Sequence, residues 1–292
     1  MVGVDAGPDE QFGAGSGAGH AAHGGKLLLS HGGAIEKATK VYLVYWGAAW
    51  STGFSTGTSR TGVYSSSTAQ TYIQNFFGTV GGSSWIGTDT QYCQGVPSST
   101  TDCSQYSSAD YITNPTGQLA GTWTDTTHPI PSSLQDSDIA QEALVAESHF
   151  GGYNANATYL IFTPTGQSES GFGTSWCAWH WATSDANGNT VAFGYIPYQP
   201  DAGSTCGMNF VNGTNTAYGN GYFDGFSIVA GHEYEEAQTD PDTSTGWYDA
   251  SGAEDADKCA WSSLSNNISL GSHSYAVQPV WSNRAGGCVP VA

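Results

Sequence analysis

The chain has 292 residues, and 25 acidic side chains against six Lys and Arg leave a formal net charge of -19. That balance repels nucleic-acid phosphates and offers no basic stripe to bind them; nor is there a run of about twenty apolar residues to span a membrane. The length suffices for a sizeable core, arranged as one large domain or two small ones.

Charged residues are only 11% of the chain, while Gly, Ser, Thr, Asn, Trp and Tyr abound, a composition expected of an extracellular protein. With so few lysines and arginines, few native salt bridges can be lost when carboxylates protonate, so tolerance of acid is expected. No apolar signal core opens the chain, and Met1-Val-Gly-Val-Asp reads as a trimmed start or a chain without its export signal. Secretion is expected instead from the cysteines. They fall into three local pairs, Cys93/Cys103, Cys177/Cys206 and Cys259/Cys288. None forms a C-x-x-C unit, so three sequential disulfides in an oxidising compartment are the simplest arrangement, against buried reduced thiols in a cytosolic protein.

Residues 1–39 read as a flexible Gly-rich segment or the remnant of a pro-segment, since the first 25 or so carry too little apolar content to fold alone. His20, His23 and His31 fall in it as loose metal donors at most. Order is expected from Lys40, and residues 40–292 read as a single domain. Val41–Trp46, β-branched and aromatic, predicts a buried strand. Thr68–Phe77 has helical spacing, with Tyr72, Ile73, Phe76 and Phe77 as its stripe. Asp136–Phe150 predicts a second helix, stopped by Gly151-Gly152. Strands follow at Thr158–Thr163 and Val191–Pro197. Asp224 is placed to cap a helix running through Phe226, Val229 and Ala230 to a stop at Asp240-Pro241. Tyr275–Trp281 predicts a late edge strand that tolerates Pro279. Strands alternating with helices imply an α+β (mixed α/β) fold, a central sheet with flanking helices.

The third predicted helix carries the chemistry. In Gly231-His232-Glu233-Tyr234-Glu235-Glu236, His232 and Glu236 project from one face, close enough to share a divalent metal. Glu233 lies beside them as a general base for a metal-held water. This is the H-E-x-x-H logic of zinc hydrolases with a carboxylate in the second histidine's place. A hydrolytic site needs a third protein ligand and an open position. The acidic segment that follows supplies candidates, preferred in the order Glu254, Asp257, Asp249. Glu254 lies 18 residues past Glu236, close to the separation at which one zinc-peptidase class places its distant glutamate. The competing reading is a surface helix whose acidic face is simply solvated.

His180, in Ser175-Trp-Cys-Ala-Trp-His-Trp181, is a candidate third ligand or oxyanion donor, weighed against a histidine packed among aromatics. His149, near the end of the second helix, reads as a favourable C-terminal charge. The loops 240–246 and 249–257 are rich enough in oxygen donors and glycine bends to suit calcium. The many Trp and Tyr rings permit sugar stacking, although most are expected in the core. Asn156, Asn212 and Asn267 open glycosylation sequons. No nucleophile elbow or phosphate loop stands between a predicted strand and helix.

The block Gly231–Pro241, then Gly246-Trp-Tyr-Asp249, then Glu254-Asp-Ala-Asp-Lys-Cys259 resembles the secreted bacterial and fungal proteins related to plant exordium (phosphate-induced protein 1). His31-Gly-Gly33 with Val41–Gly47 is similar to the opening strand of that family, and Cys177-Ala-Trp-His180 to its central block. The resemblance covers most of residues 30–290 and implies a secreted protein with a zincin-like active-site helix. Together these readings predict a secreted zinc-dependent endopeptidase acting on protein or peptide substrates. His232 and Glu236 would hold the metal, Glu254 complete it, Glu233 act as base and His180 as oxyanion donor. The alternative is a non-catalytic extracellular protein that binds cell-wall glycan or a partner and keeps a structural calcium. An open groove at Glu233 would mark the enzyme; a closed hydrogen-bond network there would mark the binding protein.

Overall fold

Lys40–Trp46 (β1) is apolar on both sides because it runs through the middle of the molecule. Val41, Leu43 and Tyr45 enter one core, while Val44 and Trp46 enter another, as expected of a strand covered on both faces. The structure, a computed structural model, describes residues 11–13, 26–58, 62–213, 221–262 and 267–289. Around β1 forms a mixed five-stranded sheet that also holds Leu119–Asp125 (β2), Ala157–Phe162 (β3), Trp176–Ser184 (β4) and Thr190–Ile196 (β5). The spatial order is β4-β5-β3-β1-β2, with every pairing parallel except β4 against β5. The backbone of Gln11–Gly13 pairs antiparallel on the outer edge of β4.

One face is covered by Ser66–Val80 (α1) and Gly231–Thr239 (α3), the other by Asp136–His149 (α2). The predicted helices therefore form, α1 being longer than its apolar stripe suggests. It begins with a capping box in which Ser65 and Thr68 exchange side-chain and backbone bonds. Helix α2 ends at Gly151 and Gly152, whose φ values of 104° and 95° suit only glycine. Three disulfides join Cys93–Cys103, Cys177–Cys206 and Cys259–Cys288.

Two expectations require correction. Order does not wait for Lys40. Leu28 and Ile35 are buried in a satellite core with Tyr92, Trp247 and Trp281, and Leu29–Ser30 pairs with Trp247–Tyr248. His31 stacks on Tyr248 with ring centroids 3.4 Å apart. Two apolar side chains and a two-residue strand are enough to bind residues 26–39 to the fold; His20 and His23 lie outside the described residues. The late strand also breaks. His273–Ala276 and Val280–Ser282 belong to separate two-stranded ribbons, and Val277-Gln278-Pro279 between them turns inward, each of Val277 and Gln278 fully buried.

Candidate metal centre

Helix α3 continues from a π-helical turn at Phe226–Ala230. Asp224 does not cap it; its carboxylate instead accepts the backbone and side-chain N–H groups of Asn212. At the other end the Asp240 carboxylate accepts the N–H groups of Ser244, Thr245 and Gly246. The chain then turns back toward the helix it has just left. All nine residues of α3 are buried, which excludes the solvated surface helix. An interior helix carrying one histidine and three glutamates must find partners for them, because an unpaired buried charge costs several kcal/mol or more.

Two glycines let the helix sit that deep. A Cβ on Gly231 would lie 2.8 Å from the Trp85 ring, and one on Gly194 of β5 would meet Leu160 at 2.8 Å and the Glu233 Cβ at 3.6 Å. Gly194 pairs with His180 of β4, so the open lattice point on the sheet sets Glu233 and His180 side by side.

His232 Nε2 lies 2.9 Å from Glu236 Oε1 and 3.5 Å from Asp257 Oδ1. Potential ligand atoms of these three residues all fall within 4.8 Å of one another. The Asp257 backbone N–H donates to Glu236 Oε1 at 3.0 Å, fixing that carboxylate. On the far side of the ring, His232 Nδ1 is 3.2 Å from Gln278 Oε1, and Gln278 Nε2 donates to the Ala256 carbonyl at 2.8 Å. An amide oxygen opposite Nδ1 accepts that nitrogen's proton in a hydrogen bond and turns Nε2 toward Glu236 and Asp257, where a metal would be held, the orientation device common to metal-binding histidines. The Asp257 side chain is 24% exposed and the others nearly closed, so the centre meets solvent on the Asp257 side.

Glu236 faces both ways. Its Oε2 lies 3.3 Å from His180 Nδ1, which is also 3.4 Å from Glu233 Oε2. His180 Nε2 is 3.5 Å from Glu254 Oε2, and His180, Glu236 and Glu254 form a second, fully buried grouping. Of the three candidate third ligands, Asp257 and Glu254 both reach Glu236, on opposite sides of it. Asp249 stands elsewhere, paired with Lys258 Nζ at 2.6 Å and bonded to Ser251. His149 stacks on Trp123 at the end of α2.

Burial pushes Glu233 up to about 7, its bond to His180 offsetting part of the rise. Burial would raise Glu236 too, yet the neighbouring His232 and His180 hold it down to about 2. Both imidazoles, although burial opposes their charge, are held well above the usual histidine range, His180 by Glu233 and Glu236 and His232 chiefly by Glu236. Positive charge is thus favoured at the point where the carboxylates converge, and a divalent cation answers that demand as well as protons do.

Gln278 was not among the residues singled out from sequence; the one signal for it was Pro279, the residue that breaks the strand. Compared with family models, with curated proteins and with solved structures, the chain matches none.

Proposed function

We propose that this chain is a secreted metal-dependent hydrolase of the zincin-like kind, related to the exordium-like proteins, with peptide bonds as its substrate class. The observation that carries the reading is the convergence of His232, Glu236 and Asp257, with Gln278 orienting the histidine and Glu233 one turn away. One imidazole and two carboxylates are a donor set that zinc accepts, with a position left for water. Bound there, zinc would lower the pKa of that water and polarise a substrate carbonyl. Glu233, held near 7 by burial, has the proton affinity of a general base working at neutral pH. His180 beside it can steady the proton that Glu233 takes or donate toward a developing oxyanion. Three disulfides support the extracellular assignment, and no helix among the described residues is long and apolar enough to cross a membrane.

One observation favours the second reading. Glu233 is 1% exposed and closed against His180, the arrangement expected of a binding protein that keeps the helix for structure. A separate hollow lined by Ser65, Ser66, Gln70, Thr124, Trp50 and Phe54 offers hydroxyls and rings of the kind a glycan uses.

Elemental mass spectrometry on wild type and Glu236→Ala, both purified without chelator and checked for fold by circular dichroism, tests the centre. About one zinc per wild-type chain, lost in the variant, is expected. Cleavage of unfolded protein substrates by wild type but not by Glu233→Gln, with zinc retained, then supports hydrolysis. Zinc without cleavage moves the assignment to the binding protein, and no transition metal in wild type overturns the centre.

A further inference from the structure

Behind the metal-facing side of α3 lies a second constellation. Asp89 comes from the 3-10 turn Ile86–Gln91, Glu235 from α3, and Asp255 from the loop before Asp257. All three side chains are fully buried, and potential ligand oxygens of the three lie within 4.8 Å of one another. Two oxygens on opposite sides of a calcium ion, each at about 2.4 Å, are about 4.8 Å apart, so the cluster has the span of one coordination shell.

Crowded acids alone would mean little. The second observation is that neither oxygen of Asp89 and neither oxygen of Glu235 accepts a hydrogen bond from any donor among the described residues. Their nearest polar partners are one another's carboxylates. Asp255 differs, accepting the Ala256 N–H at 2.7 Å and the Thr239 hydroxyl at 3.4 Å, which fixes its orientation. The lysine ion pairs of the described residues, Lys37–Asp110 and Lys258–Asp249, serve other carboxylates. Three buried carboxylates converging from three separate chain segments, with four of their oxygens, those of Asp89 and Glu235, lacking a donor, are what a hard cation requires and what an apolar interior rejects.

We propose that Asp89, Glu235 and Asp255 bind one calcium ion, distinct from the His232 centre. The ligands are all oxygen, which selects calcium over zinc. Because the site is closed, the ion is taken up as the chain folds, and its binding energy becomes folding energy. Its place also matters for the neighbouring centre: it ties the turn after Trp85 and the Asp255–Asp257 loop to α3, holding Asp257 in register with His232 and Glu236. This assignment does not depend on the hydrolytic reading.

The test is calcium content and thermal unfolding of the full chain after refolding in EGTA, then with CaCl2 or ZnCl2 added. About one calcium per chain is expected, with the unfolding midpoint rising by roughly 5–10 °C at a hundredfold excess over Kd. The rise should vanish in Asp89→Asn/Glu235→Gln, whose neutral side chains keep the shape, and persist in Asp257→Asn, which alters only the other centre. Absence of both calcium and any CaCl2 shift in wild type overturns the proposal, a result that needs no variant to fold. A CaCl2 shift that survives the double substitution also overturns it, as does a shift produced by ZnCl2 and abolished by that substitution.

Discussion

Glu233 and Glu236 sit three positions apart on one helix, and their surroundings drive their proton affinities in opposite directions, to about 7 and about 2. Such a split is how two carboxylates come to hold different roles, one to carry a proton and one to stay charged as a ligand. The role of Gln278 can be tested separately, since its amide oxygen lies against His232 Nδ1, the nitrogen turned away from Glu236. Gln278→Ala should weaken zinc affinity by about 10- to 100-fold, read by competition against a chromophoric chelator. Unchanged affinity would show that the amide merely fills space. The His232/Glu236 pair was legible because helical periodicity alone places both on one face. Asp257 was legible only as one of several acids, and its selection over Asp249 followed from Lys258, which claims Asp249. Asp89 left no sequence signal, since nothing local marks a carboxylate that will meet α3 from a turn 146 positions away.

At the scale of elements, α3 is held by contacts that leave no room for a methyl group at Gly231. Trp85, which a Cβ there would strike, also donates its indole N–H to the Gln278 carbonyl at 2.8 Å. The line Gly231, Trp85, Gln278, His232 therefore runs from helix packing to metal-ligand orientation. Gly231→Ala should cost about 1–3 kcal/mol through overpacking. It should appear as a lower urea midpoint with unchanged slope, and a midpoint within error of wild type would show that the ring has room to shift. The helices and the central buried strands were legible from apolar spacing, because their patterns are set by which faces are covered. β2 was not: Leu119–Asp125 is an edge strand of mostly half-exposed residues, and its polar alternation reads as loop. Nor was the break at Val277-Gln278-Pro279, where a proline tolerable in an edge strand instead marks an inward turn.

For the whole molecule, scarcity of basic residues has a consequence larger than the missing salt bridges. Several carboxyls are buried where neither of the lysine ion pairs of the described residues reaches them, and burial pushes Glu36 to about 8 and Glu142 to about 9, the latter helped by Asp125. A carboxyl whose folded value exceeds its unfolded one binds its proton more tightly in the native state. The stability it contributes is complete below about pH 4.3, the unfolded value, and is lost as pH rises toward 8 or 9. Asp249 works the other way: burial would raise it, but Lys258 and Ser251 hold it at about 2. Its contribution is present above about pH 3.9 and disappears as pH falls toward 2. The two trends leave mild acid, about pH 4 to 5, as the region of greatest stability. Glu142→Gln isolates one member on α2, across the sheet from α3, since glutamine resembles the protonated acid. Urea unfolding should find the variant more stable than wild type by roughly 4–5 kcal/mol at pH 8.5 and close to it at pH 4.5. A gain of the same size at both values would reduce the effect to packing, and a wild-type profile peaking above neutrality would show that the buried acids find their counter-charge in the folded protein.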